Sequence, residues 1–368
     1  MKTIHKELPY TAADELTNEL FTEDSIFFDI ETTGFSPAHT SLYLIGCARR
    51  AGSYLCIDQF FAEHKKEEKL ILNAFLELLR PYDTIITFNG IGFDIPYLKA
   101  KCDTYELKEH FSDYTYVDIF KSVRQIRHIL SLPNYKQKTI EAFLKIERAD
   151  TYSGGELINV YHSYVQKPQE DLLDLLLLHN FEDVLGMIDL LPILSYVHLF
   201  HGRFLSVTPA VNELTSYRNT LETELILELE PEFLLPQRFS YNQNGIYLTA
   251  HEKVCRIAIR LFTGELKYFF PNYKDYDYLP EEDRAIHKSV SSYVDKEYRI
   301  AAKAATCYTR HEGVFVPQFE DLITPSFRKE YKEKVSHFEL TTDFLQSEEL
   351  LQAYAKHILK KLIEKNFL

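Results

Sequence analysis

Two acidic side chains, Asp29 and Glu31, follow a short apolar run near the start of the 368-residue chain. Residues 26–28 (Ile-Phe-Phe) predict a buried strand, and the Thr-Thr-Gly sequence at 32–34 predicts its end. Because side chains two positions apart in a strand point to the same face, the two carboxylates would project together. Neighbouring carboxylates repel each other and are costly to remove from water, whereas a divalent cation between them would stabilise both. The pair therefore predicts a metal site.

A second group of polar residues lies in the sequence Asn89-Gly-Ile-Gly-Phe93-Asp94. Residues 84–89 predict a short strand, and the two glycines permit a tight turn before a helix that Phe93 and Asp94 would begin. Taken alone, Asp94 could equally cap the helix or have a functional role, and Asn89 could equally be a turn residue or have a functional role. The carboxylate pair upstream favours the functional interpretation.

The third group, His179 and Asp183, lies in a leucine-rich stretch that predicts one long helix after Pro168. Residues four positions apart in a helix lie on the same face. A single histidine at the edge of such a run usually belongs to the core. An aspartate on the same face, after three earlier acidic candidates, instead favours a role in metal binding or proton transfer.

The elements that must position these groups alternate between strand and helix periodicity. Strands are predicted at 42–49, 54–61 and 116–120, with a hairpin turn at 50–53. Helices are predicted at 65–79, 139–146 and 155–165. This order predicts an α/β fold for residues 1–195, a mixed β-sheet flanked by helices, although the spacing alone does not select one fold of that class.

The first two groups resemble motifs of the DEDD superfamily of 3′–5′ exonucleases, which have a ribonuclease H-like fold. The Asp-x-Glu-Thr sequence at 29–32 is similar to the first motif, and the Asn-Gly-x-x-Phe-Asp sequence at 89–94 is similar to the second. The second group also resembles the proofreading domain of family B polymerases. The resemblance covers about residues 20–195.

The third group, His179-Asn180-x-x-Asp183, departs from the two common forms of the third motif. It has the spacing of the Tyr-x-x-x-Asp subgroup with histidine in place of tyrosine. In the other main subgroup the histidine stands one residue further from the aspartate. The sequence is most similar to the YprB-like ribonuclease H-like branch, and the histidine leaves the identity of the general base open.

The resemblance implies phosphodiester hydrolysis by a two-metal mechanism. Two Mg²⁺ or Mn²⁺ ions would be held by Asp29, Glu31, Asp94 and Asp183. Oxygen ligands favour these hard cations over zinc.

The remaining site residues would act on water or on the substrate. His179 would orient or deprotonate the attacking water near neutral pH. Thr32, Asn89 and Phe93 would contact the substrate, with turn and core roles as the alternatives for Asn89 and Phe93.

The net charge of −14 argues against tight, non-specific binding of nucleic acid, because phosphates attract basic surfaces. Residues 1–195 carry 19 lysine and arginine residues against 30 aspartate and glutamate residues, and residues 196–368 carry 22 against 25. The acidic excess thus lies in the half with the carboxylates, where bound metal ions would neutralise part of it. The basic residues that concentrate in that half would form a solvated helix face or a phosphate track: Arg124, Arg127, Lys136 and Lys138.

Residues 196–368 resemble no family that we recognise and predict a smaller, accessory α+β domain. Hairpins are predicted at 239–248, around Asn244-Gly245, and at 261–270. Helices are predicted to continue to 204, to begin at 280–283 and to run from 348 to 363. Residues 221–230 fit neither helix nor strand clearly. Tyrosines near 276 could stack bases, although packing is the simpler interpretation.

The cysteines and the absence of targeting patterns in the sequence indicate the cellular compartment. The five cysteines form no Cys-x-x-Cys pair, which argues against a zinc site or a disulfide framework and fits a reducing cytoplasm. The start of the chain has no signal-peptide pattern. No stretch approaches the roughly 18 consecutive apolar residues typical of a membrane span. We therefore expect a cytoplasmic protein.

The sequence predicts a metal-dependent 3′–5′ exonuclease that acts on single-stranded DNA or RNA ends. One alternative is a nucleic-acid-binding or scaffold protein with a silent nuclease domain. Another is a structure-specific endonuclease, because this fold supports several phosphodiester chemistries. The complete set of four carboxylates favours an enzyme. The sequence leaves the preference for DNA or RNA and the oligomeric state open.

Overall fold

The computed structural model describes residues 1–147, 152, 154–215 and 221–364. The chain divides into two compact units, Met1–His198 with Phe233–Gln237, and Leu199–Glu232 with Arg238–Leu368. The residues predicted to bind metal and substrate all lie in the first unit.

The first unit contains one mixed sheet and the helices that cover it. Its strands are β1 (Lys2–Pro9), β2 (Ser25–Thr32), β3 (Leu42–Ala51), β4 (Tyr54–Phe61), β5 (Thr84–Thr87) and β6 (Thr115–Asp118). Its first helices are α1 (Glu15–Leu20), α2 (Glu68–Leu79), α3 (Asp94–Tyr105), α4 (Ile119–Val123) and α5 (Arg127–Leu130). Those that follow are α6 (Gln137–Leu144), α7 (Gly154–Gln166), α8 (Glu170–Asp189) and α9 (Leu194–Phe200), the last of which reaches the second unit.

The sheet has the strand order β1-β4-β3-β2-β5-β6. The first four strands in this order pair antiparallel, whereas β5 runs parallel to β2 and β6 runs parallel to β5. Parallel neighbours require a crossover, which α3 supplies between β5 and β6. Because β2 and β5 are parallel, their carboxyl ends meet at the same edge of the sheet. That edge carries the acidic pair of β2 and the turn that follows β5.

Both faces of the sheet are covered, which explains the nearly continuous apolar sequence of β2. One face packs against α2 and α3, where the rings of Phe28 and Phe75 lie 4.9 Å apart. The other face packs against α7 and α8, where Tyr43 stacks on Tyr161 at 4.1 Å. The predicted mixed sheet flanked by helices is confirmed. The edge strand β1 was not predicted, because only Ile4 and Leu8 within it are even partly buried.

One helical stretch, Glu170–Phe200, is long and apolar enough by length and composition to cross a membrane. This differs from the expectation that no segment comes close to a membrane span. Within the protein, 72% of its most apolar window is buried, as is usual for a helix that belongs to a core. All five cysteines are free and buried, as expected in the absence of a disulfide framework.

The second unit is rich in β-structure. Its strands are β7 (Phe204–Thr215), β8 (Leu221–Pro231), β9 (Leu235–Gln243), β10 (Ile246–Glu252), β11 (Val254–Arg260), β12 (Phe262–Phe269), β13 (Tyr276–Leu279), β14 (Arg284–His287), β15 (Ile300–Ala301), β16 (Tyr308–Gln318) and β17 (Ser336–Glu339). They form sheets with the orders β7-β8-β11-β10-β9, β12-β16-β17 and β14-β13-β15. Its helices are α10 (Lys288–Ser291), α11 (Thr342–Gln346) and α12 (Glu348–Ile363).

Two predictions for the second half are confirmed. Asn244 and Gly245 both have positive φ, 52° and 78°, as the tight turn between β9 and β10 requires. The amphipathic helix predicted at 348–363 is α12, and the Ser347 side chain caps its start by accepting a hydrogen bond from the Leu350 amide.

The hairpin predicted at 261–270 is wrong, because these residues form the single strand β12 paired with β16. Gly264, within this segment, has a φ of +144° and pairs with Gly313. The helix predicted to continue to 204 ends earlier, at Phe200, before β7 begins.

The helix start predicted at 280–283 is also wrong, because this segment is the turn between β13 and β14. Asp283 has a positive φ of 47° there. Its carboxylate accepts hydrogen bonds from the hydroxyls of Tyr278, at 2.5 Å, and of Tyr308. These tertiary contacts outweigh the local preference of Pro-Glu-Glu-Asp for a first helical turn.

Candidate functional site

The carboxylates of Asp29 and Glu31 lie near the carboxyl end of the central strand β2. Asp29 is opposite Gly46 of β3, and Glu31 is opposite Leu44. The register between the two strands shifts after Glu31, which ends regular pairing at Thr32. Asp29 is partly buried and Glu31 is buried, so neither charge is freely solvated.

Helix α8 brings a histidine and a further carboxylate to the same end of β2. The Nε2 atom of His179 is 3.2 Å from Asp183 Oδ2 and 3.6 Å from Glu31 Oε1. The ligand atoms that these three residues offer lie within 4.8 Å of one another, close enough to surround one metal ion. His179 and Asp183 therefore share one helix face, and that face is directed at the acidic pair.

Asp94 is the first residue of α3, where its carboxylate accepts hydrogen bonds from its own amide and from the amide of Ile30. Burial is the largest cause of a pKa raised to about 7, and the charge of Asp118 adds to it, while the two backbone hydrogen bonds oppose the change. The Ile30 amide thus joins the start of α3 directly to β2, between the two acidic residues of that strand.

Asp29 has a pKa well above its usual range. Burial is the first cause, and the charges of Glu31, Asp94 and Asp183 follow. The protein therefore holds mutually repelling carboxylates in a partly buried cluster around Asp29, an arrangement that a divalent cation would stabilise. The donor set for a cation is made of carboxylate oxygens, which fit Mg²⁺ or Mn²⁺.

Asn180 lies beneath Asp29 and is fully buried, with 0% of its surface exposed. Its Nδ2 donates to Asp29 Oδ2 at 3.3 Å, and its Oδ1 accepts from Gln59 Nε2 at 3.0 Å. Gly46 makes room for this side chain, because a Cβ on Gly46 would lie 2.0 Å from Asn180 Oδ1. Asn180 thereby links helix α8 to strands β2 and β4 under the acidic cluster.

The turn after β5 is held by a second buried acid, Asp118. Its carboxylate accepts hydrogen bonds from the amides of Asn89 (3.1 Å) and Ile91 (3.2 Å), and caps α4 through the amide of Lys121 (2.9 Å). Asn89 has a φ of +65°, a conformation that asparagine tolerates better than most residues. Its side chain is exposed.

An open cleft of about 770 Å³ contains most of these side chains. The sequence-predicted residues that line it are Asp29, Glu31, Asn89, Phe93, Asp94, His179 and Asp183. Among the described residues that line the cleft, Thr32 does not appear. The Thr32 hydroxyl instead donates to the Gly34 carbonyl at 2.9 Å, which gives this residue a turn-closing role.

Two aromatic rings stand at the rim of the cleft. Phe35 is 89% exposed, and its ring contacts that of Phe93 edge to face, with centroids 5.9 Å apart. The loop that carries Phe35 is fixed by Thr40, whose hydroxyl lies 2.9 Å from that of Tyr97 and whose carbonyl accepts from Lys101 at 2.6 Å. An exposed ring on an anchored loop is suited to stack against a flat ligand.

Two of the four basic residues noted in the sequence line the cleft, Lys136 and Lys138. The ammonium group of Lys138 donates to the Tyr152 carbonyl at 2.6 Å. Arg124 instead lies over the ring of Phe120, with 5.4 Å between the guanidinium carbon and the ring centroid. The basic stretch thus divides between the cleft and a neighbouring helix surface.

Comparison with known protein families identifies the part of the chain that carries this cleft. A model of the RNase_H superfamily matches residues 26–195, which include β2 to β6 and helices α2 to α8. Residues 26–195 therefore match this superfamily and have a ribonuclease H-like fold, and we refer to them as the ribonuclease H domain. The predicted resemblance and the predicted ribonuclease H-like fold of this part of the chain are confirmed.

The chain is also similar to parts of larger proteins. A DNA polymerase of Thermococcus sp. (strain 9oN-7) is 29% identical over 103 residues, which are 27% of this chain and 13% of the polymerase. A DNA polymerase of Methanocaldococcus jannaschii is 48% identical over 40 residues, which are 11% of this chain and 2% of the polymerase. The chain therefore matches only a small share of these relatives.

Solved structures show a distant likeness. The family B DNA polymerase from Pyrobaculum calidifontis has a TM-score of 0.40 and 14% identity, covering 48% of this chain and 25% of the polymerase. E. coli exonuclease I in complex with a dA16 oligonucleotide has a TM-score of 0.28 and 14% identity, covering 56% of this chain and 54% of the exonuclease.

Several residues that build the site in the ribonuclease H domain were missed by sequence reasoning. Asn180 stood inside the quoted third motif but was given no role, and Gly46 and Gln59 lie in strands that showed only apolar periodicity. Phe35 directly follows the Thr-Thr-Gly end of β2, and an aromatic residue in such a turn was the available signal. Asp118 lies in the middle of the strand predicted at 116–120, so nothing in the sequence indicated that it ends β6 and caps α4.

Proposed function

We propose that this protein is a metal-dependent 3′–5′ exonuclease that hydrolyses phosphodiester bonds at single-stranded ends of DNA or RNA. The observation that carries the proposal is the convergence of four carboxylates and one histidine in an open cleft of the ribonuclease H domain. Such a cluster suits a pair of hard cations and a phosphate more than it suits a neutral ligand.

In this proposal two Mg²⁺ or Mn²⁺ ions are held by Asp29, Glu31, Asp94 and Asp183. When bound, the ions would favour ionisation of a water and offset the negative charge that develops on the leaving oxygen. Asn180 fixes the orientation of the Asp29 carboxylate through its 3.3 Å hydrogen bond. The raised pKa values of Asp29 and Asp94 support metal binding, because a cation offsets the burial that raises both and the repulsion from neighbouring carboxylates that raises that of Asp29 further.

His179 is the proposed general base. Its Nε2 atom lies 3.2 Å from Asp183 and 3.6 Å from Glu31, so the two carboxylates orient the imidazole. A water held beside this nitrogen would lose its proton to His179 as it attacks the phosphorus. The proton would then leave to solvent through the open side of the cleft.

The substrate end would be held by the rim of the cleft. Phe35 and Phe93 present aromatic surfaces for the terminal bases, and base–aromatic stacking contributes about 1–3 kcal/mol per base. Lys136 also lines the cleft and supplies positive charge for a backbone phosphate. Asn89 is exposed at the turn after β5, where its amide can contact the terminal sugar or base.

The proposal is tested with single-stranded DNA and RNA oligonucleotides labelled at the 5′ end, incubated with Mg²⁺, Mn²⁺ or a chelator. A 3′–5′ exonuclease would produce a ladder of labelled products that shortens with time in the presence of metal, and none with chelator. The same oligonucleotides labelled at the 3′ end would release labelled mononucleotide first.

A circular single strand separates exonucleolytic from endonucleolytic cleavage, since it has no ends. It should remain intact while the linear strand is degraded, and its cleavage would establish an endonuclease instead. Full-length substrate in every lane, together with binding of the oligonucleotide, would overturn the proposal in favour of a silent nuclease domain that only binds.

A further inference from the structure

Four side chains with metal-ligand chemistry form a compact group on β1 and β4, away from the acidic cluster. His5 is paired with Asp58 across the two strands, and Glu7 is paired with Cys56. Because residues two apart in a strand share a face, all four side chains point to the same side of the sheet. None of the four is among the described residues that line the cleft.

The atoms of this group are close enough to coordinate one ion. His5 Nε2 is 3.3 Å from Glu7 Oε1, and the ligand atoms offered by His5, Glu7 and Cys56 all lie within 4.8 Å of one another. His5 Nδ1 lies 2.6 Å from Asp58 Oδ1. The imidazole is therefore held by Asp58 through one nitrogen, while its other nitrogen faces Glu7.

We propose that this group is a second metal site, distinct from the nuclease cleft, which binds one transition-metal ion of the zinc class. The ligands are His5 Nε2, the Glu7 carboxylate and the Cys56 thiolate. Asp58 orients His5, an arrangement that recurs around protein-bound zinc, where a carboxylate accepts the hydrogen bond of the other ring nitrogen.

The choice of metal follows from the donor atoms. A set of one nitrogen, one sulfur and one oxygen suits Zn²⁺ or Co²⁺, whereas Mg²⁺ prefers oxygen alone. His5 and Glu7 are largely exposed, with 44% and 60% of their side chains accessible, so a water can complete a tetrahedral site. Cys56 is buried beneath them, 3% exposed, and would form the inner wall of the site.

The charges around the group also favour a cation. Arg49 Nε lies 3.0 Å from Asp58 Oδ2, so the guanidinium neutralises Asp58 through the oxygen that His5 does not use. Glu7 would then be left as an anion that a divalent ion neutralises, and the Cys56 thiol would release its proton to solvent on binding the ion. Such an ion would join the edge strand β1 to β4 and stabilise its pairing.

The test is a titration of the full-length protein with Co²⁺ in the presence of excess Mg²⁺, which occupies oxygen-only sites. Thiolate coordination produces an intense cobalt charge-transfer absorption in the near ultraviolet that carboxylate sites lack. We expect this band in the wild type with one equivalent of Co²⁺, and its displacement by Zn²⁺. The readout does not depend on nuclease activity.

Three variants assign the ligands, and a fourth is the control. Cys56→Ser should remove the band, whereas Cys255→Ser, a buried cysteine of the second unit, should retain it. His5→Gln and Glu7→Gln change exposed side chains, so both should fold, and each should weaken Co²⁺ binding by about tenfold or more. Absence of the band in the wild type, or wild-type affinity in both glutamine variants, would overturn the proposal.

Discussion

Replacing Gly46 by alanine should disrupt the acidic cluster without touching any of its carboxylates. The new Cβ would lie 2.0 Å from Asn180 Oδ1, well inside the distance that two such atoms tolerate. Asn180 is fully buried, so its side chain can move away only by giving up its hydrogen bonds to Asp29 and Gln59. The substitution therefore acts on Asp29 through Asn180.

The magnitude follows from two contributions. Overpacking in a filled interior costs about 1–3 kcal/mol, and the lost hydrogen bonds cost about 0.5–1.5 kcal/mol each. We expect Gly46→Ala to lower the free energy of unfolding by about 2–6 kcal/mol. Nuclease activity should fall by about 10–100-fold, the range typical when a group that orients a metal ligand is lost.

Urea unfolding and oligonucleotide cleavage would measure both effects. Gly313→Ala is the matched control, since Gly313 also lies within an antiparallel strand and its Cβ would come no closer than 3.4 Å to a neighbour. It should change the free energy of unfolding by less than about 1 kcal/mol. Asn180→Ala removes the obstacle, so adding Gly46→Ala to it should cost little further stability. If the losses of stability of the two single variants instead add in the double variant, Gly46→Ala does not act through Asn180.

Three further predictions concern the first unit. Lys101→Met should lower the free energy of unfolding by about 3–5 kcal/mol, because it leaves the fully buried Glu68 carboxylate without its cation 2.7 Å away. Lys69→Met, at an exposed lysine, is the control. Equal urea midpoints for the two variants would contradict the prediction. The pKa of Asp94 is raised to about 7 in the folded protein, so the folded state binds more protons than the unfolded state between about pH 4 and about pH 7. In the presence of chelator, the free energy of unfolding should therefore fall as the pH rises through this range. Asp94→Asn should flatten this decline, and an unchanged slope would contradict the prediction. Phe35→Ala should raise KM for an oligonucleotide with little change in thermal midpoint, because the ring is 89% exposed; an unchanged KM would remove Phe35 from substrate binding.

Local patterns were enough to predict most strands and helices around the sheet, although they missed β1, and the choice of a ribonuclease H-like fold came from the resemblance of the motifs. The apolar run of β2 and the helical spacing of α2 both reflect burial that repeats with a fixed period, and such burial leaves a direct trace in the sequence. The same periods placed Asp29 and Glu31 on one face and His179 and Asp183 on another. The meeting of those two faces depends on the path of the chain, which spacing does not encode.

Contacts between residues distant in sequence account for what was missed. Asn180 bonds to Gln59, 121 residues away, and needs a glycine in a third element, so its role is visible only in the fold. Asp283 likewise lies in a turn rather than a helix and accepts a hydrogen bond from Tyr308, 25 residues away, in addition to that from nearby Tyr278.

The unassigned stretch at 221–230 shows a limit of a different kind. It forms β8, in which Leu225, Leu227 and Leu229 are buried and the glutamates alternate with them. Because leucine and glutamate are good helix formers, their propensity obscured an alternation with period two.

We propose that the acidic cleft of the ribonuclease H domain performs metal-dependent phosphodiester cleavage. The most direct test compares Asp183→Asn with Asp174→Asn at saturating Mn²⁺, two changes of the same charge on the same helix. Asp183 lines the cleft, whereas Asp174 is exposed and lies outside the described lining. We expect cleavage to fall by at least about 100-fold in Asp183→Asn and to stay near the wild-type rate in Asp174→Asn. Equal cleavage by the two variants would contradict it.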